Sequence, residues 1–69
     1  MSKSVWTALA ENLEQQVANN QRVIEGHLIA HMKQGAKPDD LRDPLIEDLR
    51  ATNAQLRELA KDVRARIGD

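Results

Sequence analysis

The sequence predicts an all-α fold, an antiparallel two-helix hairpin that dimerises into a four-helix bundle. Apolar residues recur every three or four positions over two long stretches, which is the spacing of one side of an α-helix. One connector, residues 35–43, separates the stretches and holds Gly35 and Pro38. A short connector makes the two helices antiparallel, and a single hairpin covers only one apolar line. The remaining apolar residues therefore predict self-association.

Length and composition limit the function classes. The chain has 69 residues, enough for one small domain whose own core is marginal, and no cysteine for a disulfide or thiolate metal site. Ten basic against eleven acidic residues give a net charge of −1, which argues against a strongly basic nucleic-acid binder. No apolar run is long enough for a bilayer, and the polar start does not match a secretory signal, so we expect a cytoplasmic protein. Since no glycine-rich phosphate loop or nucleophile motif is present, we expect no enzyme activity and no cofactor.

The first helix is expected at about residues 5–34, with Ser4 as its N-cap. Its apolar line has an eleven-residue repeat, which predicts a nearly straight helix, and runs through Trp6, Leu9, Leu13, Val17, Asn20, Ile24, Leu28 and His31. A break at Asn19-Asn20 is the alternative and would give three helices. The line resumes in phase beyond it, which favours one helix. Asn20 either pairs with its symmetry mate and fixes the register or faces water at a helix edge.

The connector should end the first helix at Gly35 in a left-handed conformation, and Pro38 prevents continuation. Residues 39–42 are expected to form one short turn. Asp43 is the predicted N-cap of the second helix, about residues 44–67, with Pro44 in its first turn. Gly68 is expected to stop that helix.

The second helix carries an apolar line with steps of four and three residues, namely Leu45, Leu49, Thr52, Leu56, Leu59 and Val63. The flanks expected to stay exposed on one hairpin are Val23, Ile29, Ile46 and Ile67. Together the two helices define a predicted self-association seam of Trp6, Leu9, Leu13, Val17, Ile24, Leu28, Leu45, Leu49, Leu56, Leu59 and Val63. Trp6 should either pack across the open end of the bundle or anchor a partner protein.

His27 and His31 are four residues apart, the spacing that two zinc-ligating histidines use on one helix face. No third ligand lies nearby in sequence. Glu25 and the histidines of a second chain would complete a site only if a two-fold axis passed close by. The expected reading is that His31 lies at the edge of the core and His27 on the surface, without a metal.

Arg50, Arg57 and Arg64 fall seven residues apart and form a basic stripe with Lys61. Such a stripe could follow phosphates, or it could be a solvated helix face favoured by the helix dipole. The sequence therefore favours a non-enzymatic interaction module, a small regulator, adaptor or assembly factor that binds another protein through its helix faces. A nucleic-acid-binding regulator that uses the stripe is the alternative.

Overall fold

The computed structural model of the chain describes residues 3–37 and 42–68. Helix α1 spans Lys3–Lys33 and helix α2 spans Pro44–Gly68, and the two pack against each other in antiparallel directions. This arrangement confirms the predicted all-α hairpin. Helix α1 continues through the asparagine pair without interruption, so the three-helix alternative is wrong. It also begins one residue before Ser4, which therefore lies inside the helix and not at its N-cap.

The contact between the helices follows a seven-residue repeat. On α1 one line of buried and half-buried positions, with steps of four and three, comprises Trp6, Ala10, Leu13, Val17, Asn20, Ile24, His27 and His31. On α2 the corresponding line comprises Ile46, Leu49, Asn53, Leu56, Ala60, Val63 and Ile67. We call these two lines the helix interface. A strict seven-residue repeat favours left-handed winding of the pair, which corrects the eleven-residue repeat expected for α1.

The predicted line on α2 is displaced by one residue at three positions. Leu45, Thr52 and Leu59 are exposed, and the residue after each of them is buried instead. These buried residues are Ile46, Asn53 and Ala60. Two neighbouring lines on α2 both have steps of three and four residues, and only contact with α1 decides which of them is covered.

Ile46 and Ile67 were expected to be exposed, and both expectations are wrong. Ile46 is almost fully buried, and Ile67 is half-buried against the core. On α1, Leu9 is exposed and its neighbour Ala10 takes the fully buried position. Alanine at this position lets the helix backbones approach closely, because it has no side chain beyond Cβ to keep them apart.

The main apolar cluster lies near the chain termini, while Ile24 and Ile46 are buried nearer the connector. The main cluster consists of Ala10, Leu13, Ala60 and Val63, with Trp6, Leu56 and Ile67 packed against it. The guanidinium carbon of Arg66 lies 5.4 Å from the centroid of the Trp6 ring, a cation–π distance. Trp6 thus packs across the open end of the hairpin.

A buried amide pair crosses the middle of the helix interface. Asn20 Nδ2 donates to Asn53 Oδ1 over 3.0 Å, and Asn53 Nδ2 donates to the Val17 carbonyl over 3.2 Å. Asn53 is only 1% exposed. Asn20 therefore pairs with the other helix of its own hairpin, which differs from both readings given above. Such a pair fixes the helix register, because a shifted register leaves buried amide groups unpaired.

The connector begins with a hydrogen-bonded C-cap that ends α1. The N–H of Ala36 bonds to the His31 carbonyl, and the N–H of Gly35 bonds to the Met32 carbonyl. Gly35 has φ = +93°, as predicted, and together these features form a Schellman motif. Pro38 and all but the last residue of the turn expected at residues 39–42 lie outside the described residues.

Helix α2 starts as predicted. Asp43 Oδ1 accepts a hydrogen bond of 2.9 Å from the Leu45 N–H, and the Asp43 carbonyl accepts the Glu47 N–H. Pro44 is the first helical residue, where its missing N–H costs nothing. At the other end, Gly68 is the last residue of α2 and does not adopt a positive φ, so the expected left-handed stop does not occur there.

Candidate interaction surface and histidine–aspartate cluster

One side of the hairpin carries a row of exposed apolar residues. Leu9, Val23, Leu45 and Leu59 each precede a buried residue of the helix interface by one position, and each is 40–50% exposed. In an antiparallel helix pair, residues that hold this position on the two helices lie on the same side of the interface. We call this row the apolar side. It contains Leu9, Leu45 and Leu59 of the predicted self-association seam.

The other members of that predicted seam lie within the hairpin. These members are buried or half-buried between the helices or beside their interface: Trp6, Leu13, Val17, Ile24, Leu28, Leu49, Leu56 and Val63. A second copy of the chain would therefore meet only the exposed leucines of the predicted set, together with Val23. Sequence spacing alone could not separate these two groups, because both fall on the same broad stripe of each helix.

The opposite side of the hairpin is charged. Arg64 and Glu14 form a two-bond pair across the helices, with Nε–Oε2 at 3.1 Å and Nη2–Oε1 at 2.7 Å. The hydrogen bonds from Arg64 hold the pKa of the Glu14 carboxyl below its ordinary value, and the same pairing raises the pKa of Arg64. Both side chains are about half exposed, so the pair contributes little to stability.

Three of the four predicted nucleic-acid contacts border one shallow groove on the charged side. Arg57, Lys61 and Arg64 line it together with Glu14, Val17 and Ala60. Arg50 is exposed one heptad before Arg57. The carboxylate of Glu14 offsets one of the three charges in the groove, so the groove is less basic than the sequence suggests.

The connector end brings together two histidines and an aspartate. His31 Nε2 lies 2.9 Å from Asp43 Oδ2, and His27 Nδ1 lies 3.7 Å from the same oxygen. The Asp43 side chain is 16% exposed, and those of His27 and His31 are 44% and 37% exposed. The hydrogen bond with His31 is the main cause that lowers the pKa of the Asp43 carboxyl. We call these three residues the histidine–aspartate cluster.

The C-terminal end of α1 and the N-terminal end of α2 position this cluster. One helical turn separates His27 from His31, so both rings leave the same face of α1. The Schellman motif reverses the chain, and the N-cap of α2 then lies beside the last turn of α1. Sequence reasoning identified Asp43 only as a cap. Its place in a hairpin beside the end of α1 was the signal that could have identified it as a partner of the histidines.

Among the described residues, no other group of three or more histidine or acidic side chains lies close enough together to share an ion. Neither described helix is both long and apolar enough to cross a membrane. A comparison with protein-family models, with curated proteins and with solved structures finds no match to this chain.

Proposed function

We propose that the chain is a non-enzymatic, self-associating interaction module of the cytoplasm, a small regulator, adaptor or assembly factor. Two hairpins pair through their apolar sides and form a four-helix bundle, which binds another protein through its outer helix faces. The observation that carries this proposal is the row of exposed Leu9, Val23, Leu45 and Leu59 on one side of the hairpin.

The size of the apolar side suits a dimer. The hairpin is 50 Å long, so its apolar side offers room for an extended contact between two copies. Exposed apolar rows of this kind on a small chain are typical of association surfaces. The charged side is less suited to contact a second copy, because burying Glu14 and Arg64 would remove two charges from water.

A second copy fits the pattern of this side. In the register set by the Asn20–Asn53 pair, Leu9 and Leu59 lie toward one end of the hairpin, offset from each other by five residues or about 7.5 Å along its axis, and Val23 and Leu45 lie toward the other end with the same offset. One apolar pair thus lies toward each end, with polar positions between them. A two-fold axis through the middle of this side brings the apolar pairs of the two copies together, as a self-complementary interface requires.

Exposed apolar residues outside this surface support binding of another protein. Ile29 and Met32 are each about half exposed near the C-terminal end of α1. Ile29 is five residues from the buried Ile24, which places it about 140° around the helix, away from the helix interface. Methionine adapts well to varied partner surfaces. The dimer thus keeps an apolar patch for a second contact.

Sedimentation equilibrium with matched variants tests the dimer. We expect the wild-type chain to be a dimer at micromolar concentration, with a melting temperature that rises with concentration. Leu59→Glu places a charge on the apolar side and should give a monomer. Ile29→Glu, the control on the outer surface of α1, should remain a dimer.

A wild-type chain that stays monomeric and helical at high concentration would contradict the proposal. Equal weakening by Leu59→Glu and Ile29→Glu would place the interface elsewhere.

Nucleic-acid binding through the basic groove is the second candidate, supported by the convergence of Arg57, Lys61 and Arg64 at one groove. Replacing Arg50 and Arg57 by Gln leaves the Glu14–Arg64 pair intact. This double variant should weaken binding to single-stranded RNA or duplex DNA and flatten its salt dependence, as measured by fluorescence anisotropy. An Arg22→Gln control removes a charge from α1. Absence of binding by the wild-type chain at low salt would end this alternative.

A further inference from the structure

We propose that His27, His31 and Asp43 of a single chain form a binding site for a divalent transition-metal ion of the zinc class. The sequence predicted no metal because it offers no third ligand near the two histidines. The fold supplies that ligand from the start of α2. The site is independent of the proposed self-association, because all three ligands belong to one hairpin.

The distances between the ligand atoms suit a tetrahedral ion. With metal–ligand bonds of about 2.0–2.1 Å, neighbouring ligand atoms of a tetrahedron lie about 3.3 Å apart. The two measured separations from Asp43 Oδ2, 2.9 Å to His31 and 3.7 Å to His27, fall on either side of this value. All three ligand atoms lie within 4.8 Å of one another. Small side-chain rotations are enough to place an ion between them.

The ligand chemistry selects the class of ion. Two imidazole nitrogens and one carboxylate favour zinc and its neighbours in the first transition series, whereas calcium and magnesium require mostly oxygen ligands. Three protein ligands leave a fourth coordination position for water. The partial exposure of His27 and His31 gives the ion and that water access to the site.

The backbone holds the carboxylate in position. Asp43 Oδ1 accepts the Leu45 N–H, so Oδ2 is the oxygen that faces the two rings. A hydrogen bond to the non-ligating oxygen is a common support for a metal-binding carboxylate. When Nε2 of His31 binds the ion, the ring proton that it carries in the hydrogen bond moves to Nδ1. The hydrogen bond from Leu45 thus orients the Asp43 carboxylate before an ion binds.

Titration of the chelator-treated full chain with zinc chloride, followed by calorimetry, tests the site. We expect one zinc ion per chain and a rise in melting temperature. Imidazole ¹⁵N spectra should show His27 binding through Nδ1 and His31 through Nε2. Cobalt(II) should give the intense visible bands of a four-coordinate site.

Matched variants locate the ligands. Asp43→Asn keeps an N-cap residue but removes the anionic ligand, and it should weaken zinc binding at least about tenfold. His31→Gln should do the same. Asp62→Asn, a change of the same kind on the exposed part of α2, should bind zinc like the wild type. Circular dichroism without metal establishes that each variant is folded.

Three outcomes would overturn the proposal. One is an unchanged melting temperature and no heat of binding with zinc, which would make the cluster a hydrogen-bonded clasp only. Another is one ion per two chains, which would place the site between copies. The third is equal zinc affinity in Asp43→Asn, Asp62→Asn and the wild type.

Discussion

The two ends of the hairpin are closed by different physical means. At the terminal end, Leu13 and Val63 lie in an apolar cluster that Trp6 covers. At the connector end, His31 and Asp43 meet through polar atoms beside a tight turn. Apolar burial depends little on pH or dissolved ions, whereas imidazole and carboxylate contacts respond to both. The apolar cluster at the terminal end should therefore respond less to pH and dissolved ions than the polar contacts at the connector end.

The largest expected effect tests the terminal end. Leu13→Ala leaves a cavity in the apolar cluster and should lower the free energy of unfolding by about 2–5 kcal/mol. Ile29→Ala, on the exposed outer surface of α1, should change it by no more than about 0.5 kcal/mol. Urea denaturation followed by circular dichroism, at one fixed protein concentration, measures both. Similar losses in the two variants would show that packing does not dominate this end.

The amide pair between the two ends comes next. Asn53→Ala removes the partner of Asn20 and of the Val17 carbonyl, and should cost about 1–3 kcal/mol. Replacing both Asn20 and Asn53 by Leu should restore or exceed wild-type stability but allow more than one helix register. Thermal melts measure the first effect, and doubled NMR amide signals would report the second. A single set of sharp signals from the double variant would contradict the register role.

Two glycines sharpen the comparison at the connector end. Gly35→Ala forces a left-handed conformation on alanine and should cost about 1–2 kcal/mol. Gly26→Ala, inside α1, should instead stabilise the hairpin by about 0.5–1 kcal/mol. Neither position has a neighbouring atom within 4 Å of an added Cβ, so crowding explains neither effect. If Gly35→Ala and Gly26→Ala both raise or both lower the melting temperature, the conformational argument is wrong.

The smallest expected effect is the pH response of the Glu14–Arg64 pair. Because Arg64 lowers the pKa of Glu14, the pair stabilises the hairpin above about pH 4.5, and this contribution is lost as the pH falls through the lower pKa of the folded state. At low salt, Glu14→Gln should therefore reduce the slope of the unfolding free energy against pH below about pH 4.5. Glu58→Gln is the control on α2. Identical pH profiles for the two variants would show that the pair contributes nothing measurable.

The sequence was sufficient for most features that depend on neighbours in the chain, although Ser4 is not the N-cap of α1 and Gly68 does not adopt a positive φ. Gly35 and Asp43 act where helix-ending and helix-starting rules predict, and the helix bounds differ from the expected ones by two residues at most. These features could be predicted because each depends on a few consecutive residues.

Features that depend on the other helix could not be predicted. Apolarity favours Leu59 over its neighbour Ala60, yet Ala60 is buried because it lies on the line that meets α1. Asn53 is likewise buried in preference to Thr52, since the amide of Asn20 completes its hydrogen bonds. The third member of the histidine–aspartate cluster lies 12 residues from His31 in sequence, so helical spacing could not reveal it.

The order of cross-helix contacts along the hairpin has a consequence for folding kinetics. The His31–Asp43 contact spans 12 residues of chain, the Asn20–Asn53 pair spans 33, and the Glu14–Arg64 pair spans 50. Closing the longest of these loops from the unfolded state costs about 1.3 kcal/mol more than closing the shortest. The hairpin should therefore zip from the connector towards the termini. The contact nearest the connector forms first, and an ion that holds that contact would accelerate folding and change the unfolding rate little.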